Sequence, residues 1–159
     1  MIAGLTKMTG VGYIPIKQIG IQGIPGMFSV SARTQYAIRA MSCLAKRPDR
    51  SATASEIAAS ESIPAKYLEG ILSRLKSSGL IESERGKNGG YRMAKDPAEI
   101  RMLEIVEAID GRVKPVSCVD APGACVLGGA CHPRNFWIGL KATIDAYLAE
   151  RTLKDVSEG

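Results

Sequence analysis

Three of the four cysteines lie within one short stretch, and the only histidine of the chain directly follows the third of them. Six residues separate Cys118 from Cys125 and five separate Cys125 from Cys131, with glycine, alanine and proline frequent among them. Because such a segment turns back on itself easily, several thiols can converge on one centre. The spacing therefore predicts a metal site.

The same spacing bears on the kind of metal. Zinc sites usually contain cysteine pairs about two to four residues apart, whereas these longer steps suit an iron–sulfur cluster at least as well. The alternative interpretation is three reduced or disulfide-bonded thiols in a loop. The fourth cysteine, Cys43, stands among apolar residues of a predicted helix and is interpreted as a small hydrophobic residue.

Length and composition narrow the class of protein. A chain of 159 residues predicts one domain with a real core, extended by a helix or tail. No apolar run approaches the roughly 20 residues that span a bilayer. The dense cysteine pattern of small secreted proteins is missing too, so we expect a cytoplasmic protein without a membrane partner. No set of nucleophile, base and orienting group is recognisable, which argues against an enzyme.

The positive charge is concentrated in one part of the chain. The net charge is +5, and residues 64–95 carry seven basic and three acidic side chains, a local excess of +4. The seven basic residues are Lys66, Arg74, Lys76, Arg85, Lys87, Arg92 and Lys95. A local excess of this kind predicts contact with nucleic-acid phosphates, while the alternative is a solvated basic face.

The first ordered element is predicted after an irregular extension. Residues 1–26 are interrupted repeatedly by glycine and proline, so neither a helical nor a strand period is present. Ser29 or Ser31 can then cap a helix that runs to about Lys46.

Two further helices are predicted next. Thr53 and Glu56 form a capping box that opens a short helix. A longer helix is predicted from Pro64 to Gly79, and its apolar face consists of Leu68, Ile71, Leu72 and Leu75. A short helix, a tight link and a longer helix make a helix-turn-helix.

A basic hairpin follows the predicted helix-turn-helix. Residues 80–93 contain two strand-like flanks around the turn sequence Asn88-Gly89-Gly90. This order of elements is the winged-helix arrangement, in which the longer helix enters the major groove and the wing reaches a neighbouring groove or the backbone. The alternative is a small helical domain whose hairpin has no binding role.

The C-terminal half predicts two more helices around the cysteine segment. One runs from Pro97 to Ile109. The other runs from Asn135 to about Leu153, and steps of three and four residues align an apolar seam of Trp137, Leu140, Ile144 and Tyr147. Because DNA sites read by helix-turn-helix proteins usually have twofold symmetry, we expect this seam to pair with a second copy of the chain. Packing on its own domain is the alternative.

These elements define the expected architecture. The fold is mainly α with a small β-hairpin: a winged helix-turn-helix domain plus a long C-terminal dimerisation helix. The expected divisions are an irregular extension (1–26), a DNA-binding domain (27–95), a connecting helix with the cysteine loop (96–134) and the dimerisation helix (135–155).

From about Met27 to Leu153 the sequence resembles the Rrf2-type bacterial transcription regulators, in particular their cysteine-bearing IscR-like and NsrR-like branch. The resemblance is carried by five features: 33-RTQYAIRAM-41, 63-IPAKYLE-69, 79-GLI-81, 85-RGKNGGY-91 and three cysteines before Trp137. It implies a dimer of winged helices with exchanged C-terminal helices. In cysteine-bearing members it also implies a 2Fe-2S or 4Fe-4S cluster that alters DNA binding, and the 2Fe-2S form is favoured here.

The fourth cluster ligand is where this sequence departs from the family pattern. In IscR-like members a histidine lies three residues after the third cysteine, and Arg134 occupies that position here. In NsrR-like members an aspartate of the first helix completes the site, and Gln35 occupies that position. His132, next to Cys131, is the leading candidate, ahead of Gln35, an exogenous ligand or water.

The DNA-reading residues are predicted on the third helix and the wing. We expect Lys66, Tyr67 and Arg74 to meet base edges or phosphates, and Glu69 to accept from cytosine. In the wing, the residues expected to hold the backbone or enter the minor groove are Arg85, Lys87 and Asn88. Structural alternatives are a solvated Glu69 and a core position for Tyr67.

The predicted function is a dimeric regulator that binds a roughly palindromic site on double-stranded DNA under control of an iron–sulfur cluster. One alternative is a cluster-free regulator of the same fold that senses through thiols or a partner protein. A more remote alternative is a small electron-transfer protein.

Overall fold

The computed structural model describes residues 30–84, 86, 89–117, 119–120 and 130–158. The elements in this part of the chain are α1 (Ala32–Lys46), β1 (Ser51–Ala52), α2 (Ala54–Glu61), α3 (Ala65–Ser77), β2 (Ile81–Glu84), β3 (Gly90–Met93), α4 (Met102–Asp110), α5 (Arg134–Glu150) and α6 (Leu153–Ser157). This mainly helical fold with a small antiparallel sheet confirms the predicted class. The predicted extension over residues 1–26 lies outside the described residues.

Local capping signals set the ends of the first three helices. The Ser31 hydroxyl accepts from the Thr34 amide at the start of α1. The capping box of Thr53 and Glu56 opens α2 as predicted. After α3, Gly79 has φ +69°, the left-handed conformation that commonly follows a helix.

The predicted wing forms, and a third strand joins it. β2 and β3 pair antiparallel, with Glu84 opposite Gly90 beside the turn. β1 adds to the other edge of β3, and this strand was not predicted because it is only two residues long. Gly90 is required at the junction, since a Cβ there would lie 2.6 Å from the carbonyl oxygen of Ala52.

The helix predicted over 97–109 is shorter in the structure. Asp96 instead supports a turn, because its carboxylate accepts from the Ala98 amide at 2.9 Å and its carbonyl accepts from the Glu99 amide at 2.8 Å. Ile100 and Arg101 then pair with the chain near residue 152, so α4 begins only at Met102.

The C-terminal helix also ends earlier than predicted. α5 stops at Glu150, and Thr152 caps the separate helix α6 by accepting from the Asp155 amide. Hydrogen bonding to Thr152 holds the pKa of the Asp155 carboxyl below its usual value. The Leu153 amide donates to the Ile100 carbonyl at 2.8 Å, and the Leu153 side chain is fully buried.

One hydrophobic core unites the helices on both sides of the cysteine segment. Its largest fully buried side chains come from α1, α2, α3, α4, α6 and the residues that lead into or form the sheet. They include Met41, Leu44, Ile57, Leu72, Leu75, Ile81, Ile105 and Leu153. Within the described ranges, no helix has the length and apolar character needed to cross a membrane.

Candidate nucleic-acid interface

Helix α3 separates a core face from a solvent face. Its buried side chains are Leu68, Ile71, Leu72 and Leu75, as the sequence predicts. The four residues predicted to read DNA from this helix, Lys66, Tyr67, Glu69 and Arg74, are all exposed. The fold therefore presents them together on one helix, with the wing following directly in the chain.

Tyr67 lies between α1 and solvent. Its ring centroid is 6.3 Å from that of Tyr36 on α1, and the Lys66 ammonium lies 5.0 Å from the Tyr67 ring centroid. The Tyr67 residue is 43% exposed, so the alternative of a core tyrosine is excluded. Contact with Tyr36 limits the positions that its ring can take.

Arg74 has a partner within the protein. One guanidinium nitrogen, Nη1, donates to the carbonyl of Ile109 at 2.7 Å, near the end of α4. An arginine has five N–H donors, so others remain for a phosphate or base. Its predicted contact with DNA stays a prediction, and the structure adds a link between α3 and α4.

Ion pairs neutralise part of the positive charge of residues 64–95. Arg92 pairs with Glu82 and Glu84, each at 3.1 Å, and Lys95 pairs with Glu104 at 3.3 Å. Within the part of the chain that the structure describes, neither Lys66 nor Arg74 pairs with a carboxylate. Among the residues of this stretch that the structure describes, the positive charge left without an acidic partner is therefore on α3 rather than on strands β2 and β3.

Arg33 of α1 extends this charged surface, although the sequence pattern did not identify it. A surface groove between α1 and α3 is lined by Arg33, Lys66, Tyr67, Gly70, Ile71 and Arg74. Arg33 also forms no ion pair with a carboxylate among the described residues. It lies outside the basic stretch of the sequence, and only the packing of α1 against α3 brings it here.

The predicted wing-tip residues Arg85, Lys87 and Asn88 lie outside the described residues. The strands that flank them are paired up to Glu84 and from Gly90. Their contact with DNA stays a prediction.

The end of α4 links helices α1 and α3 to the cysteine segment. The Asp110 carboxylate accepts from the Ser31 hydroxyl at 2.8 Å and from the Thr34 hydroxyl at 2.7 Å. Thr34 is fully buried, so this carboxylate anchors the start of α1. The chain then leaves α4 at Gly111 toward the cysteines.

The predicted cysteine site is only partly within the described residues. Cys118 and Cys125 lie outside them, whereas Cys131 is half-buried in the turn before α5 and His132 is exposed. Gln35 is exposed on α1, and its side-chain amide donates to the Val30 carbonyl at 3.0 Å. Over the described ranges, no three His, Cys, Asp or Glu side chains converge on a metal position. As a donor set, three thiols and an imidazole fit an iron–sulfur cluster.

Helix α5 buries none of its seventeen residues within the chain. Of the predicted seam, Tyr147 is 60% exposed, and Trp137, Leu140 and Ile144 are half-buried; Phe136, outside the predicted seam, is 63% exposed. A large apolar surface on one helix is typical of an interaction site.

Comparison with known proteins points to one family. A family model named Rrf2, described as an iron-dependent transcriptional regulator, matches residues 30–159. An HTH-type transcriptional regulator of Mycobacterium tuberculosis is 32% identical over 131 residues, which cover 82% of this chain and 81% of the relative. The regulator IscR of Escherichia coli is 30% identical over 128 residues, covering 80% and 78%.

A solved structure of a named regulator also resembles this chain. CymR of B. subtilis, described as the global cysteine regulator of that organism, superposes with a TM-score of 0.69 and 28% identity. The match covers 82% of this chain and 97% of CymR.

Proposed function

The chain belongs to the Rrf2 family of transcription regulators, and from this premise we propose that it is a dimer that reads a roughly palindromic DNA site under control of an iron–sulfur cluster. As a member of that family it is a DNA-binding transcription regulator and not an enzyme. The small electron-transfer alternative is thereby set aside. The observation that carries the reading role is the exposed face of α3, whose cations have no acidic partner among the described residues.

Charge and position indicate which of these residues are proposed to contact base edges and which are proposed to contact phosphates. Lys66, Tyr67 and Glu69 lie on or near the first turn of α3, the part of a recognition helix that usually meets base edges. Arg33 and the remaining donors of Arg74 are placed to meet phosphates beside the groove. Arg85, Lys87 and Asn88 are proposed to hold the backbone or enter the minor groove from the wing tip.

Arg33→Ala tests the extended phosphate surface. We expect weaker binding to all DNA sequences alike, and a slope of log K against log salt reduced by about one per subunit, because one phosphate contact is lost. Fluorescence anisotropy over a salt series measures both quantities. Lys154→Ala is the matched control, since it removes one positive charge from α6, near the start of α4 rather than its end. Equal salt slopes for Arg33→Ala and the wild type would exclude Arg33 from the interface.

The dimer is proposed to form through α5. Leu140 lies on the same flank of this helix as the exposed Phe136 and Tyr147, so a second copy can cover all three. Leu140→Asp is expected to give a monomer by light scattering and to weaken binding to a palindromic site, because a charge in an apolar interface is costly. Ala142→Asp, on the opposite side of α5, is the control and should stay dimeric. A dimeric Leu140→Asp variant would place the interface elsewhere.

The cluster is proposed to be held by Cys118, Cys125, Cys131 and His132, as a 2Fe-2S or, alternatively, a 4Fe-4S cluster. Bound there, it would supply an iron centre that reacts with oxidants or nitric oxide. The iron dependence in the family description supports this part of the proposal. Asp110 and Arg74 tie the end of α4 to α1 and α3, so order in the cysteine segment can bias the position of the reading helix.

The second candidate is a cluster-free regulator of the same fold that senses through its thiols. The likeness to CymR of Staphylococcus aureus, whose structure was solved in an oxidized form, favours it. Iron and sulfide analysis of anaerobically purified protein separates the two candidates.

A further inference from the structure

Gly70 occupies a costly position in the recognition helix. It lies inside α3, which runs from Ala65 to Ser77. Glycine in a helix interior is less stable than alanine by about 0.5–1 kcal/mol, because its backbone loses more freedom on folding. Glycine at this position is therefore expected to meet a requirement of packing, of backbone conformation or of a binding partner.

The fold itself does not require glycine there. A Cβ built on Gly70 meets no atom within 4 Å, so an alanine would fit without displacing a neighbour. Its backbone is not in the left-handed region, unlike that of Gly79 or Gly111. Neither packing nor conformation within the described chain explains the residue.

The position of Gly70 on the helix indicates an external cause. Residues four, seven and eleven positions after Lys66 share its side of the helix, and they are Gly70, Ser73 and Ser77. All are exposed, on the side away from the buried leucines. The outermost line of α3 therefore carries only small side chains beyond Lys66.

Cations flank this line. Gly70 shares a groove with Arg33, Lys66 and Arg74, none of which pairs with a carboxylate in the described ranges. Negatively charged DNA drawn to these residues would lie against the bare helix backbone at Gly70. The outermost line of a helix in the major groove faces the base edges rather than the sugar–phosphate walls.

We propose that Gly70 is a specificity-determining position where the backbone of α3 approaches the base edges too closely to admit a Cβ. This inference rests on the proposed reading role of α3. The helix selects among base pairs by their shape, because the base pair opposite Gly70 must fit directly against the helix backbone. No side chain at position 70 can change its conformation to accommodate a different base pair. The extra methyl of an alanine would hold α3 away from that base pair.

Gly70→Ala is expected to have opposite effects on stability and binding. The melting temperature should rise by about 2–4 °C, because alanine is the better helix former. Affinity for a site selected from a randomised duplex library should fall at least about tenfold, since one methyl overfills a tight contact. The ranking of single-base variants should change at one base pair in each half-site. Gly139→Ala, also in a helix interior with no atom within 4 Å of its Cβ, should stabilise without altering that ranking.

Four outcomes are distinguishable. Wild-type affinity and ranking for Gly70→Ala would overturn the inference, and so would a lowered melting temperature. A uniform loss of affinity with unchanged ranking would place the sugar–phosphate backbone, not the base edges, against Gly70 and also overturn it. The reading role of α3 is tested separately by Glu69→Ala, which should weaken the preference of the protein among single-base variants of its DNA site. If neither Glu69→Ala nor Gly70→Ala changed the ranking of these variants, the proposed function of α3 would fail as well.

Discussion

Replacing Leu153 by alanine is expected to lower the free energy of unfolding by about 2–5 kcal/mol, as for other buried leucines whose loss leaves a cavity. Leu153 is fully buried in the core that α6 shares with α1. Its amide donates to the Ile100 carbonyl, and the Arg151 carbonyl accepts from the amide of Met102 at the start of α4. Urea unfolding followed by circular dichroism measures the change.

Val156 provides the control for that substitution. It lies on the same short helix but is 44% exposed, so Val156→Ala should change stability by no more than about 0.5 kcal/mol. Similar values for the two variants would mean that α6 is not docked on the core in solution.

Replacing Cys131 by alanine is expected to remove the proposed iron–sulfur cluster from anaerobically purified protein. Three thiols and one other ligand leave no spare donor, so loss of one thiol cannot be compensated. The visible absorbance and the iron and sulfide contents should fall to background, and Cys118→Ala and Cys125→Ala should behave alike. Cys43→Ala is the matched control, because Cys43 is buried on α1, with its sulfur 3.2 Å from the Ser60 hydroxyl.

Stoichiometric zinc without iron in the wild-type protein would refute the cluster. In a protein that does hold iron, His132→Ala and Gln35→Ala identify the fourth ligand. We expect His132→Ala to lower the iron content and Gln35→Ala to leave it unchanged. The reverse result would assign the ligand to α1, as in NsrR-like members.

The parts of the fold that the sequence predicted well depend on local signals. The caps at Ser31 and Thr53 and the glycine after α3 each act within a few residues, so their chemistry is visible in the sequence. The apolar spacing of α3 likewise predicted its buried face, and with it the exposure of the residues proposed to read DNA.

Contacts between distant segments could not be predicted in this way. The sequence placed Leu153 at the end of the C-terminal helix, whereas its burial and the hydrogen bond of its amide to Ile100 show that the chain has turned back into the core. Arg33 joins the charged groove, and Arg74 reaches the end of α4, through packing that no sequence period records. Ion pairs between β2 and β3 similarly neutralised Arg92, which the charge pattern alone had included in the basic surface.

The return of α6 to the core also governs the order in which the protein can fold during synthesis. The domain built from α1–α4, the sheet and α6, which is the proposed reading head, is discontinuous in the sequence: α1 ends at residue 46, whereas the α6 residues that pack on it begin at residue 153. A ribosome makes the cysteine segment and α5 before it makes α6, so the head acquires the buried side chain of Leu153 only after both of them have been made. Closing so long a loop also slows folding. A nascent chain that stops before residue 153 therefore lacks a complete reading head, and every fully folded head carries the cysteine segment and α5 with it.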